Sequence, residues 1–471
     1  MKKSVTLSKN DILTLEIEDI TNLGFGVGKH EGAVIFVSGA VTGDTVEVKI
    51  IKVATSYYVG RVEKFIKRSP IRTDDRCHNK RCHACAYRDV LYSEELKIKE
   101  AAVRAAFLKE GLADAVVLPT VPSPRLTEYR NKAQYPIARG ADGEYIIGFY
   151  APKSHNVCEA ADCPMAPVCF TEILETLREF FARYDIPVYE EISGEGLLRH
   201  IYLRRSEALG QILLTIVING HFIPHSDELV KVLTGKFPEI CGILLNINTA
   251  DTNVVLGEGY IKLYGTDSIT DILSGVKLTI TPQSFYQVNH GGAGCIYERA
   301  RELAELSPSD IVLDLFCGTG SIGLSMAKDC REVIGIEIVE SAVKCAKENA
   351  RANNIENASF YTGDATSAEK ILCHAEAVRG ERIKPDVVIL DPPRGGSERG
   401  LLEFIAKLSP RRVVYVSCNP TTLARDVKIM SELGYSYGEV STVDMFPMTG
   451  HVESVVCLTR RLDNELRERV N

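Results

Sequence analysis

Two short stretches in the last hundred residues bring together side chains that can do covalent chemistry. Asp391-Pro392-Pro393-Arg394-Gly395-Gly396 follows an apolar run at 387–390. Ser417-Cys418-Asn419-Pro420-Thr421-Thr422 follows a second run at 413–416. Two apolar strands that each end in a tight polar turn fit an open parallel sheet, whose carboxyl edge is where ligands bind. Cys418 then falls on a strand-to-helix turn, with a helix opening at Pro420. Helix N-termini favour thiolate, the reactive form of cysteine. A cysteine after an apolar strand is commonly a small core residue. Here its polar neighbours and the proline start argue against burial, so Cys418 is expected to be a nucleophile.

Upstream lie residues suited to holding a ligand against that edge. Residues 311–316 (Ile-Val-Leu-Asp-Leu-Phe) read as a strand, followed by Cys317-Gly318-Thr319-Gly320-Ser321 and a helix. Glycines there let the backbone approach a ligand closely. The strand at 333–337 ends in Glu337, an acid at the distance suited to ribose hydroxyls. Tyr361-Thr362-Gly363-Asp364 ends a third strand, with Asp364 placed to face an adenine ring. Phosphate is not implied, because the glycine set is too short for a dinucleotide fingerprint and no P-loop lysine follows. Cys317 reads as a small residue lining the turn, not a second nucleophile.

A separate group is Cys77, Cys82 and Cys85, with Cys163 far downstream in Cys163-Pro164. The intervening His78, Asn79, Lys80, Arg81 and His83 do not suit a packed core. Closely spaced thiols on a polar loop call for a positive centre, zinc or iron–sulfur, or else mark a degenerate site without metal. Cys158 and Cys169 flank the fourth position and compete with it.

The motifs together resemble the S-adenosylmethionine-dependent RNA uracil-C5 (5-methyluridine) methyltransferases. The resemblance rests on the spacing from Asp-Pro-Pro-Arg (391–394) to Tyr-x-Ser-Cys-Asn-x-x-Thr (415–422). It also rests on Asp444-Met445-Phe446-Pro447 followed by His451-Val452-Glu453. It covers nearly the whole chain. It implies Cys418 as nucleophile and Glu453 as base. It implies Gln287 (in Phe285-Tyr286-Gln287-Val288-Asn289), Phe316, Ser321, Glu337 and Asp391 as methyl-donor contacts. It also implies a [4Fe-4S] cluster on Cys77, Cys82, Cys85 and Cys163, structural or serving RNA docking. The pattern departs in its first cysteine gap, at His83-Ala84 and at Met448. A polar or aromatic residue is usual at the Met448 position, so a substrate-side contact is expected to differ there. Glu453 has an independent signal, since it opens an apolar strand after the turn at 447–452; an ordinary surface glutamate is the bland alternative.

The elements that must position these residues fall into three expected domains. Residues 1–67 alternate in short strands with Gly24, Gly26 and Gly28 at a turn, predicting a five-stranded OB-like barrel. This unit resembles the TRAM domain. Residues 68–277 hold the cysteines, a helix over 93–110 stopped by Gly111, and mostly strands. Within them Tyr129-Arg130-Asn131-Lys132 and residues 198–205 interleave bases with aromatics, either facing RNA or forming the solvent side of a sheet. Residues 278–471 are expected to form an α/β, Rossmann-like methyltransferase domain.

Composition restricts the partners. With 471 residues, 45% hydrophobic and 25% charged, the chain is ordinary globular material, with no apolar run near the roughly 20 residues that span a bilayer. The N-terminus lacks a signal-peptide pattern, so a cytoplasmic protein is expected, whose fourteen cysteines are thiols, metal ligands or catalysts. A net charge of −8 excludes indiscriminate nucleic-acid binding and confines RNA to a patch. One candidate is residues 61–81, with Arg61, Lys64, Lys67, Arg68, Arg72, Arg76, Lys80 and Arg81 against three acids.

The expected reaction is methyl transfer to C5 of an extruded uridine. By resemblance the RNA is 23S ribosomal RNA, with transfer RNA as the alternative. No membrane and no obligate protein partner are inferred. An amino-group methyltransferase of the Asp-Pro-Pro type ranks behind, because Arg394 stands where that class has an aromatic. A dead-enzyme RNA-binding module is disfavoured by the intact Cys418, Glu453 and glycine turn.

Overall fold

The computed structural model describes residues 6–461, except Asp75, Arg76, His78, Lys80, Arg81, Lys153 and Ala161. Four sheets organise them. The N-terminal sheet has six strands, ordered Ile12–Glu16, Thr45–Val53, Tyr58–Lys67, Ala33–Ser38, Phe25–His30 and Asp19–Ile20. Alternation in its strands sends Leu15, Ile35, Val37, Val46, Val48 and Ile50 into one small core. The sixth strand, of two residues, arises because the first strand breaks after Glu16 and the chain re-pairs against Val27 and Gly26.

A seven-stranded sheet follows. Its central strand, Leu198–Arg205, lies between Lys132–Arg139 and Ile212–Ile218. Its alternating bases and aromatics are therefore largely buried rather than on an open sheet face, Arg205 alone in the strand being partly exposed. Arg199, His200, Tyr202 and Arg204 are buried. The Arg199 guanidinium donates to the Asn248 and Ala250 carbonyls, and Arg204 to Tyr202 and the Pro282 carbonyl. Tyr129 is likewise buried. Sequence pattern shows which residues alternate, but not that a second layer covers the outer face.

The third sheet is the hairpin Ile269–Leu273/Val276–Ile280, which joins the core of the fourth. In that last sheet the strands run Ala358–Thr362, Glu332–Glu337, Ile311–Leu315, Val387–Leu390, Arg412–Ser417, Glu453–Arg460 and Tyr435–Tyr437. The first five are parallel and Glu453–Arg460 is antiparallel. Near-continuous apolar runs suit strands covered by helices on both faces. The helix Tyr92–Lys109 packs by Val103 and Phe107 into the same core as Leu423 and Val427 of helix Pro420–Glu432. Among the described residues, no helix is long and apolar enough to cross a membrane.

Candidate active site

The parallel strands end at one edge, and register decides what meets there. Leu315 pairs with Leu390 and with Ile336, so Phe316, Asp391 and Glu337 leave the sheet side by side. Leu390 pairs with Tyr415, which brings the Asp391 turn beside the Cys418 turn. Those two turns are tied together: the Asn419 amide and the Thr422 hydroxyl both donate to the Arg394 carbonyl, at 2.9 and 3.3 Å. Asn419 also caps the helix that Pro420 opens, accepting from the Thr421 N–H at 3.1 Å.

Glu453 arrives from the antiparallel strand. Ser417 is the register partner of Ser454, and continuing that register by one residue sets Cys418 opposite Glu453. Cys418 is half-buried while Glu453 is only 8% exposed. Burial raises the Cys418 thiol, the carboxyls of Glu453 and Asp391 raise it further, and Arg394 opposes them. The helix N-terminus that favours the thiolate is thus opposed by burial, the largest influence, and by the two neighbouring acids. Glu453 is itself pushed well up by burial and by Asp391. Asp391 keeps some surface open, yet burial lifts its carboxyl to about 7.

The glycine turn has room for a ligand. A Cβ on Gly318 would meet nothing within 4 Å. Glu337 accepts from the Gly318 N–H at 3.1 Å and from the Val339 N–H at 2.9 Å, so its carboxylate shapes the turn from beneath. Ser321 shares a 2.6 Å hydrogen bond with Tyr297, a buried residue of helix His290–Ala304. Gln287 lies on the loop entering that helix, its carbonyl accepting from the Asn131 amide at 2.9 Å. Asp364 sits one strand further out, exposed, with its carboxylate capping its own turn at the Thr366 N–H. Asp314 was not singled out from sequence, although an acid inside an apolar strand was a signal. It is buried, bonds the Gly323 N–H at 3.0 Å through one oxygen, and is lifted to about 7 chiefly by burial.

Met448 is fully buried. Its side chain is buried with Cys85, Tyr129 and Met165. Its backbone takes a left-handed φ of 68°, with the N–H donating to Glu95 and the carbonyl accepting from Tyr87.

Cys77, Cys82, Cys85 and Cys163 line one cavity of about 480 Å³, together with Arg130 and Lys132. Cys158 is not among its lining residues, and Cys169 faces another depression beside Lys236. Burial and the three neighbouring cysteines push the Cys85 thiol up to about 12. Among the described residues, no three His, Cys, Asp or Glu side chains converge on a single metal ion.

The basic patch is smaller than the sequence suggests. Arg72 is 9% exposed and committed to Asp44, at 2.6 Å, and to Asp89. Arg61 pairs with Glu63, and Arg68 covers the Phe65 ring at 4.6 Å. Lys64, Lys67 and Arg68 are exposed, and Arg76, Lys80 and Arg81 lie outside the described residues.

A doubly wound sheet with a glycine turn and reactive groups at its carboxyl edge defines a methyltransferase-like α/β fold. Comparison with known proteins gives the family. The family model described as tRNA (Uracil-5-)-methyltransferase matches residues 253–461, and that of the TRAM domain matches residues 8–62. An uncharacterized RNA methyltransferase of Clostridium tetani is 39% identical over 460 residues, 98% of each chain. One from Oceanobacillus iheyensis is 36% identical, covering 98% of this chain and all of its own. The solved structure of Pyrococcus abyssi tRNA (uracil-54, C5)-methyltransferase in complex with S-adenosyl-L-homocysteine matches with a TM-score of 0.76 and 26% identity. It covers 95% of this chain and 100% of its own. The chain belongs to this family of RNA uracil-5 methyltransferases with an N-terminal TRAM domain.

Proposed function

We propose that this protein transfers a methyl group from S-adenosylmethionine to C5 of an extruded uridine in RNA, through a covalent Cys418–C6 adduct. The observation that carries the reading is the strand register that sets Cys418 opposite Glu453 at the sheet edge, with Asp391 and Arg394 beside them. C5 of uracil is a weak nucleophile. Addition of the Cys418 thiolate to C6 moves the C5=C6 electron pair toward the C4 carbonyl and makes C5 reactive. S-adenosylmethionine, when bound, would supply an electrophilic methyl to C5, its S–CH3 bond breaking to release S-adenosylhomocysteine. Glu453 then takes the C5 proton, the C5=C6 bond re-forms, and the Cys418 thiolate leaves C6. Arg394 supports the thiolate and a uracil carbonyl or phosphate. Gln287, Phe316, Ser321, Glu337, Asp364 and Asp391 hold the donor; the open space over Gly318 supports this, as does the S-adenosyl-L-homocysteine of the Pyrococcus abyssi structure.

Four thiols lining one cavity beside Arg130 are the donor type that a [4Fe-4S] cluster uses. It would be held by Cys77, Cys82, Cys85 and Cys163 and would support structure or RNA docking, since methyl transfer to uracil needs no electron. Zinc, or no metal, is the alternative that iron and sulfide analysis would establish. The substrate proposed is 23S ribosomal RNA, in the cytoplasm. Transfer RNA is the second reading, favoured by what the Pyrococcus abyssi protein is named for.

The test is methyl transfer from labelled S-adenosylmethionine to unmodified bulk RNA, comparing intact protein with Cys418→Ala and then fractionating the RNA. Label in 5-methyluridine, at least about 10³-fold lower in the variant, supports the covalent route. Label on an exocyclic amine, or full activity of the variant, would sink it. The RNA fraction carrying the label decides between the two substrates.

A further inference from the structure

Glu453 stands at the end of a loop that leaves the sheet at Val443 and returns at Glu453, its register partner. Within the loop the Phe446 carbonyl accepts from the Thr449 N–H at 3.1 Å and the Thr449 hydroxyl at 2.8 Å, which closes one turn without fixing where the loop sits. Four consecutive carbonyls are also each held by a donor from outside the loop. Met445 accepts from the Asn289 amide at 2.9 Å, Phe446 from the Lys99 ammonium at 3.2 Å, Pro447 from the Tyr129 hydroxyl at 3.0 Å and Met448 from the Tyr87 N–H at 2.9 Å. Of these donors only Lys99 is charged. Its ammonium is 1% exposed and lies between two fully buried carboxylates, Glu95 at 2.8 Å and Asp444 at 2.6 Å. Both acids grip the loop as well. Glu95 accepts from the Met448 N–H at 2.7 Å, and Asp444 accepts from the Phe446 N–H at 3.0 Å and the Tyr92 hydroxyl at 2.9 Å.

Stability alone does not call for such a triad, because apolar side chains of similar size often replace buried ion pairs at no loss. What three charges supply and an apolar cluster does not is direction. Each bond fixes one loop atom, and together they hold Met448 in the left-handed conformation that turns the chain back toward Glu453. We propose that Lys99 is a positioning residue for removal of the C5 proton, setting the path of residues 444–452 and so the aim of Glu453. The proposal rests on the reading of Glu453 as the base.

That role has a signature. If the base is misaimed, addition of Cys418 and methylation proceed, but the C5 proton stays, the C6–S bond does not break, and enzyme accumulates on methylated RNA. The full-length Lys99→Met variant is mixed with labelled S-adenosylmethionine and unmodified transcripts of ribosomal and transfer RNA. Turnover, denaturant-resistant protein–RNA adduct per folded enzyme, and KM for RNA are then measured. Turnover is expected to fall about 10- to 100-fold while the adduct rises about tenfold and KM stays within about twofold. Adduct and turnover falling together, or unchanged turnover, would overturn the proposal. Glu453→Gln is run in parallel. If it traps adduct and Lys99→Met does not, only the positioning role fails. If Glu453→Gln turns over normally, the base assignment fails and the positioning role falls with it. Lys99→Met/Glu95→Gln, which removes a carboxyl charge with the ammonium, serves if the single variant does not fold; if neither folds, Lys99 belongs to folding and the proposal is overturned.

Discussion

Asp391 shows how a single side chain can trade stability for binding. Burial alone lifts its carboxyl from 3.8 to about 7. The folded chain therefore holds a proton that the unfolded chain releases, so the group's contribution is fully present below pH 4 and is lost as pH rises through 7. At about 1.4 kcal/mol per unit, that loss is a few kcal/mol. Asp391→Asn imitates the neutral acid. It should melt at a higher temperature than the parent at pH 8 and nearly the same at pH 4.5, without ligand. A cationic donor reverses the balance by favouring the carboxylate. Its stabilisation of the parent should then grow from pH 5.5 to pH 8, and that growth should be absent in the variant. Thermal melts with and without S-adenosylmethionine would check both, and a pH-independent difference between the two proteins would contradict the account.

At the scale of the element, the glycine turn between Ile311–Leu315 and the helix at Ser321 shows what local sequence can and cannot specify. Gly320 has a φ of +79°, and a Cβ there would meet the Phe360 ring at 2.9 Å and Ala346 at 3.2 Å. Left-handed backbone costs a non-glycine residue about 1–2 kcal/mol, and overpacking about 1–3 kcal/mol more. Gly320→Ala should therefore lower the melting temperature and weaken S-adenosylhomocysteine binding at least about tenfold, measured by calorimetry. Unchanged affinity would mean that the turn does not shape the donor site. The strand–turn–helix pattern made this turn legible, as it did the turns after Asp391 and Ser417, because each is coded within about ten residues. The glutamate opposite Cys418 depends on pairing between Arg412–Ser417 and Glu453–Arg460, which residue periodicity does not reveal; the family motif and the apolar strand after it marked Glu453 but not its partner. Arg72 counts toward the candidate basic patch for the same reason. Its partner Asp44 lies in a different element, and sequence shows a charge without showing what neutralises it. Lys99 went unnoticed because an 18-residue helix with ordinary charge spacing gives no sign that one lysine faces inward.

The whole molecule adds a constraint that no single domain carries. The turn at 21–24 of the N-terminal sheet is wedged between the segment after the cysteines and the loop before Glu453. The Tyr87 hydroxyl donates to the Thr21 carbonyl at 3.2 Å, and a Cβ on Gly24 would meet the Ala86 carbonyl at 2.7 Å. On the other side, a Cβ on Gly450 would fall 1.9 Å from the Asn22 carbonyl oxygen. Backbone meets backbone there, so the clash cannot be relieved by turning a side chain, and either the N-terminal unit or the loop must move. Gly450 does not have the positive φ that would make alanine intrinsically strained. Gly450→Ala therefore tests the contact itself. The seat of the N-terminal unit should loosen, so proteolysis between residues 60 and 92 accelerates several-fold and RNA affinity falls about tenfold. S-adenosylhomocysteine affinity should stay within about twofold, because the donor site lies on other turns. If the loop yields instead of the N-terminal unit, RNA binding would hold and turnover would fall with trapped adduct, as for a misaimed Glu453. The ratio of lost affinity to trapped adduct thus measures which side of the wedge is stiffer. Loss of donor binding in this variant would show that the N-terminal unit braces the whole catalytic sheet and not the loop alone.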